Sequence, residues 1–115
     1  MQKYQKLRNS SDFDSVKKYG AGSADFNMVM LAMDQETAEK YKGSRLGFIV
    51  SKRIGGATIR NKYKRRLKES ANSMQIIGGM DIVFIARNGI LNSDYHEISS
   101  SMYKLLDNAS LISTE

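Results

Sequence analysis

Arg45 to Ser70 reads RLGFIVSKRIGGATIRNKYKRRLKES, and its hydrophobic period changes in the middle. Over Arg45–Lys52 the apolar residues alternate, with Leu46, Phe48 and Val50 facing one way, which predicts a strand. Gly55-Gly56 then offers a chain reversal. From there Ile59, Tyr63, Leu67 and Ala71 recur at a spacing of four, the pattern of one stripe along a helix. A strand that hands directly to an amphipathic helix implies a mixed architecture in which the stripe packs on a sheet.

The flanking sequence extends this pattern. Ser10-Ser11-Asp12 supplies N-cap residues for a short helix with Phe13 and Val16 on one face and Gly20 as its stop. Phe26–Met33 (FNMVMLAM) is an apolar run of strand length whose lack of clean alternation predicts cover on both faces. Asp34 to Gly43 is polar and reads as a loop. After Gly78-Gly79, MDIVFIAR predicts a strand with Ile82, Phe84 and Ala86 opposed to Val83 and Ile85. Asn92, Ser93 and Asp94 can cap a last helix on which Tyr95, Ile98, Met102 and Leu105 follow helical spacing. The predicted order is α, β, β, α, β, α, with the LISTE tail expected to fray. At 115 residues, without repeats or linkers, residues 1–115 read as one α/β (α+β) domain. A chain of this size buries about two-thirds of its unfolded surface.

The absence of cysteine excludes disulfides and thiolate metal sites and suits a reducing cytoplasm. No stretch approaches the roughly 18 apolar residues of a membrane span, and the polar start lacks the apolar segment of a secretory signal. The expectation is a soluble cytoplasmic protein without a membrane partner.

The net charge of +6 is unevenly placed. Between Glu39 and Glu69 every ionised side chain is positive: Lys40, Lys42, Arg45, Lys52, Arg53, Arg60, Lys62, Lys64, Arg65, Arg66 and Lys68. Lys3, Lys6 and Arg8 form a smaller basic start. Segregation of this kind favours a polyanion, nucleic acid first. With Arg60 set at zero, Lys64, Lys68, Asn61 and Arg65 follow at about 40, 80, 100 and 140° around the helix, on one flank. Lys62 and Arg66 lie on its outer side. Arg60/Lys64, Lys64/Lys68 and Lys62/Arg66 are like-charge pairs four residues apart, so the isolated helix repels itself. A phosphate ligand relieves that repulsion, and N–H groups following Gly55-Gly56 can help to hold one.

Ser51-Lys52-Arg53-Ile54-Gly55, Ala57, and Arg60-Asn61-Lys62-Tyr63-Lys64-Arg65-Arg66-Leu67-Lys68 together resemble the "RNR" signature of the bacterial ribonuclease P protein family. The spacing A-x-x-R-N-x-x-K-R-x-x-K is far more specific than a basic run. LRNSSDFDSVKKYG resembles the family's first helix, RLGFIVSKR and DIVFIAR its flanking strands, and Tyr95–Leu106 its closing helix. The resemblance implies a fold like the second domain of ribosomal protein S5, with a left-handed β-α-β crossover against the usual right-handed preference. It also implies the protein subunit of an endoribonuclease that removes the 5′ leader from precursor tRNA and leaves 5′-phosphomonoesters, with catalysis residing in an RNA subunit. By matching positions, Lys52, Arg53, Arg60, Asn61, Lys64, Arg65 and Lys68 would face the RNA, with Lys62 and Arg66 beside them. Phe13, with Lys17, would line a cleft for the single-stranded leader. Lys17 stands where the family often has a second aromatic, and Leu31 or a neighbour where a strand Tyr is common, so stacking there should be weaker and electrostatics stronger.

A protein nuclease needs clustered carboxylates for metal or a histidine base, and the basic half of the chain has neither. No protein catalytic residue, metal site or cofactor is therefore expected, while magnesium is expected with the RNA. His96 reads as an exposed helix residue, Asp81 as a strand opener and Asp94 as a cap. The alternative function is a structural RNA-binding protein such as a small ribosomal component. A DNA-reading helix-turn-helix needs a helix just before the recognition helix, where this sequence has a strand.

Overall fold

The computed structural model describes residues 4–35 and 43–114. Strand β1 (Gln5–Lys6) leads to helix α1 (Ser10–Tyr19) and the hairpin β2 (Ala21–Ala24) and β3 (Met28–Asp34). Strand β4 (Arg45–Ile49), helix α2 (Ala57–Asn72) and strand β5 (Met80–Ala86) follow, then a 3₁₀ turn (Asn88–Asn92) and helix α3 (Tyr95–Asn108). The six expected elements are present, joined by the two short strands β1 and β2. Most of the expected loop Asp34–Gly43, with Lys40 and Lys42, and also Lys3, lies outside the described residues.

The five strands form one sheet in the order β1-β4-β5-β3-β2. β4 is parallel to both β1 and β5, whereas β5–β3 and β3–β2 are antiparallel. β4, α2 and β5 thus make a parallel crossover whose connection is the basic helix, as the change of period at Gly55-Gly56 requires. The alternation along the strands sorts the side chains into two layers. Leu46, Phe48, Ile82, Phe84, Met28 and Met30 face α2 and α3, where Leu67, Ala71, Ile98, Met102 and Leu106 complete the main core. Phe48 stacks on Phe84 with centroids 5.8 Å apart. Each such apolar side chain contributes about 1.5–3 kcal/mol on burial. On the opposite face, Val83 packs with Val16 of α1 and Leu7, bordered by half-buried Phe13, Leu31, Met33, Ile49 and Ile85. One helix cannot cover that face, and part of it remains open.

The ends of the elements follow local chemistry. Asp94 caps α3 by accepting from the Glu97 N–H at 2.9 Å while Glu97 accepts from the Asp94 N–H, a complete capping box. Gly79 has φ +84°, a conformation that favours glycine. Three sequence expectations are corrected. The N-cap of α1 is Asn9, without a side-chain bond, and Ser10, Ser11 and Asp12 lie inside the first turn, where Asp12 pairs with Arg45. Phe26 precedes β3 instead of opening it and is exposed. The tail does not fray over Leu111–Ser113: Leu111 is buried, the Ile77 N–H donates to its carbonyl at 2.9 Å, Ile112 bridges Ile76, and the Ser113 N–H donates to Gln75.

Candidate nucleic-acid interface

α2 presents its cations because its buried stripe is narrow. Tyr63, Leu67 and Ala71 are buried as the spacing predicts, and the Tyr63 hydroxyl donates to the Leu91 carbonyl at 3.4 Å. Ile59, expected on the same stripe, is 42% exposed. Its side chain lies over Gly55, where an added Cβ would come 2.9 Å from Ile59 Cγ2, so the first turn packs on its own entry loop instead of on the sheet. That turn contains no acid, and its N-cap, Gly56, offers no side chain to its N–H groups.

The signature side chains divide into three sets. Lys52 and Arg53 are exposed on the turn closed by the Ile54 N–H donating to Ser51, ahead of α2. Arg60, Asn61, Lys64, Arg65 and Lys68 follow along one flank, with Arg60 and Lys68 half-buried and the others exposed. Lys62 and Arg66 bracket Tyr63 from the outer side, the Lys62 ammonium 5.6 Å and the Arg66 guanidinium 5.4 Å from the ring centroid. Cation–π contacts at exposed sites are worth about 0.5–1 kcal/mol, so these two cations have a structural occupation that the flank residues lack. Among the described residues, the one ion pair on α2 joins Arg65 to Glu69 at 4.0 Å with both side chains exposed, a geometry of little energetic weight.

The flank meets α1 across the edge of the sheet. β1 ends at Lys6, and beyond its pairing with β4 a cleft opens that is lined by Lys6, Lys64, Lys68, Phe13 and Gly47, without an acid. The Phe13 ring rests on Gly47, where a Cβ would come within 2.4 Å of it, so the glycine makes room for the aromatic. Lys68 is held below the ordinary lysine value, first by burial and then by the neighbouring charges of Lys6 and Lys64. Such convergence disfavours the charged form until an anion arrives. Phe13 thus belongs both to the core beneath α1 and to this cleft. Lys17 is exposed one turn further along α1 and does not line it.

Arg45 is removed from the basic field that the sequence suggested. Its guanidinium forms a bidentate pair with Asp81 at 2.9 and 2.5 Å, and a second contact to Asp12 at 3.2 Å clamps α1 to the sheet. The acids are similarly engaged elsewhere: Asp94 caps α3, and the Asp25 carboxylate accepts from the N–H groups of Asn27 and Met28. Among the described residues no three His, Cys, Asp or Glu side chains are grouped to hold a metal. His96 is exposed on α3, as expected. Sequence reasoning placed Lys6 only in a separate basic start and did not group it with α2, from which four intervening elements separate it.

Comparison with known proteins agrees with this fold. The family model described as Ribonuclease P matches residues 1–110. The chain is 34% identical over 116 residues to the ribonuclease P protein component of Alkaliphilus oremlandii, covering 99% of this chain and 98% of that one. It is 35% identical over 103 residues to the protein of the same name from Thermoanaerobacter sp., with 88% and 85% covered. The fold superimposes on the RNase P protein of Staphylococcus aureus with a TM-score of 0.83 at 27% identity, covering 96% of this chain and all of that one. The corresponding values for the Thermotoga maritima RNase P protein are 0.77 and 30%, with 90% and 96% covered.

Proposed function

The chain belongs to the ribonuclease P protein component family, and we propose that within this endoribonuclease complex it binds the catalytic RNA through α2 and the 5′ leader of precursor tRNA through the Phe13 cleft. The observation that carries the proposal is the junction at the sheet edge, where Lys64 and Lys68 meet Lys6 and Phe13 in a cleft without a carboxylate. A cationic groove with an aromatic platform is the general solution for holding a single strand. The uncapped first turn of α2, flanked by Lys52 and Arg53, adds N–H donors for a phosphate.

In this reading no protein side chain takes part in bond breaking. The RNA subunit, with its magnesium, supplies that chemistry, and the protein acts by screening phosphate repulsion and raising affinity for leader-bearing precursor over mature tRNA. Arg60, Lys64, Arg65 and Lys68 neutralise backbone phosphates, while Asn61 contributes an amide hydrogen bond that a purely electrostatic surface does not require. The competing reading, a structural RNA-binding protein, has no use for that amide, and under it Asn61→Ala would be nearly silent.

The deciding experiment is cleavage of a 5′-extended precursor tRNA at low magnesium, comparing protein alone, a bacterial ribonuclease P RNA alone, and the two together. Stimulation confined to the mixture is the expected result. Cleavage by protein alone would mean a protein active site, and no stimulation with a cognate RNA would favour the structural alternative.

A further inference from the structure

Phe26 is 67% exposed, although its position in an apolar run invites burial. Leaving such a side chain in water forgoes the stabilisation of burial, yet Phe26 is firmly held. The Asp25 carboxylate accepts from the N–H groups of Asn27 at 2.8 Å and Met28 at 3.1 Å. Arg87 fastens the same turn from the end of β5, its N–H donating to the Asn27 carbonyl at 2.9 Å and its guanidinium to the Asp25 carbonyl at 2.8 Å. The aromatic ring itself lies against Gly89, where a Cβ would come 2.7 Å from ring carbons and 2.3 Å from the Phe26 carbonyl oxygen.

This fixed ring forms one wall of a cleft floored by Val29 and Ile85, with the exposed Arg53 and Arg87 also lining it and no acidic side chain among its walls. Ile85 also belongs to the apolar cluster that contains Phe13, so the two aromatics share one face of the sheet. Phe13 rests at Gly47, which pairs with Val83, whereas the floor of the Phe26 cleft is the Val29–Ile85 pair two residues along β5. Two residues along a strand span roughly 7 Å.

We propose that Phe26 is a second stacking platform, receiving an unpaired nucleobase of single-stranded RNA whose adjoining phosphates face Arg53 and Arg87. The charge selects the occupant: two guanidiniums over an apolar floor repel a basic partner and suit the alternation of base and phosphate in a single strand. The inference rests on the leader-binding reading above and extends it to a nucleotide beyond the one at Phe13.

The test uses the reconstituted RNA–protein complex and precursor tRNAs with leaders of graded length, together with a series carrying one abasic leader nucleotide at a time. F26A should weaken binding of long-leader precursors by roughly five-fold or more, the lower bound for loss of one stacked base, and leave short-leader and mature tRNA unaffected. One abasic position should weaken wild type and have no effect on F26A, and F26W should restore affinity. Equal affinity of wild type and F26A for every leader, or a loss that includes mature tRNA, would overturn the assignment. A wild-type protein that stimulates no cleavage would instead refute the underlying leader-binding reading.

Discussion

Replacing Lys64 by Gln should flatten the salt dependence of binding to the RNA subunit, whereas Lys62→Gln should leave it almost unchanged. The two lysines lie on the same exposed helix but do different things. Lys64 lines the sheet-edge cleft with Lys6 and Lys68, while the Lys62 ammonium lies 5.6 Å from the Tyr63 ring. If Lys52, Arg53, Arg60, Lys64, Arg65 and Lys68 each neutralise one phosphate, log affinity should fall with log salt at a slope of roughly −4 to −5. Between about 50 and about 200 mM salt, affinity should then drop by roughly 300- to 1,000-fold. Losing the Lys64 contact makes the slope shallower by about 0.7–0.9, which reduces that drop roughly three-fold. The fold should not suffer, because Lys64 is exposed and its removal relieves repulsion from Arg60 and Lys68, four residues to either side. Equilibrium binding at several salt concentrations, with thermal unfolding of each variant as a control, measures both effects. Equal flattening by the two substitutions, or a slope near zero for wild type, would refute the division of α2 into a phosphate-facing flank and a Tyr63-covering side.

Asp81→Asn should destabilise the protein by about 2 kcal/mol, since it removes the bidentate charge partner of the mostly buried Arg45 while the Asp12 contact remains; thermal unfolding should show a loss of about 5–10 °C. Ser110 has φ +60° and sits at the left-handed position of a Schellman motif, with the Leu111 N–H donating to Leu106 and the Ser110 N–H to Asp107. Ser110→Gly should therefore stabilise the fold by about 1 kcal/mol, read as a rise in melting temperature. For Lys68, the lowered folded-state value means that carrying its charge costs stability at neutral pH, and the cost is relieved as pH rises through that value towards the ordinary 10.5. NMR titration of its ε-methylene should place the transition below that of the exposed lysines in the free protein, and shift it upward when RNA binds.

The parts of the fold legible in sequence are those written in local periodicity. Tyr63, Leu67 and Ala71 define the buried side of α2, the opposed sets on β5 fall in separate layers, and Asp94 is an ordinary cap. What escaped depends on partners distant in sequence. β1 has two exposed residues and β2 has the small residues AGSA, so neither carries an apolar signal, and both exist because β4 and β3 offer edges to pair with. Arg45 read as one more cation because its acids, Asp12 and Asp81, stand 33 and 36 residues away. Ile59 had the correct spacing but lies beyond the reach of the sheet. The signature motif singled out the cations on the flank of α2, yet the grouping of Lys64 and Lys68 with Lys6 and Phe13 follows from β1 ending at Lys6, a tertiary event.

The strand order carries a consequence for synthesis. β5 is the last strand to be made, yet it is the middle of the sheet, bonded to β4 on one side and β3 on the other. Until it emerges from the ribosome, the β2–β3 hairpin and the β1–β4 pair have no strand in common, and α2 has only β4 to pack on while its own charges push it apart. The chain therefore has no stable halfway structure to rest in. Folding must wait for the final third of the sequence and then close non-local contacts together, the regime of slow, all-or-none assembly. A nascent chain stalled before Met80 would expose both sheet faces and the cationic helix at once, a species suited to aggregation and to indiscriminate capture of RNA.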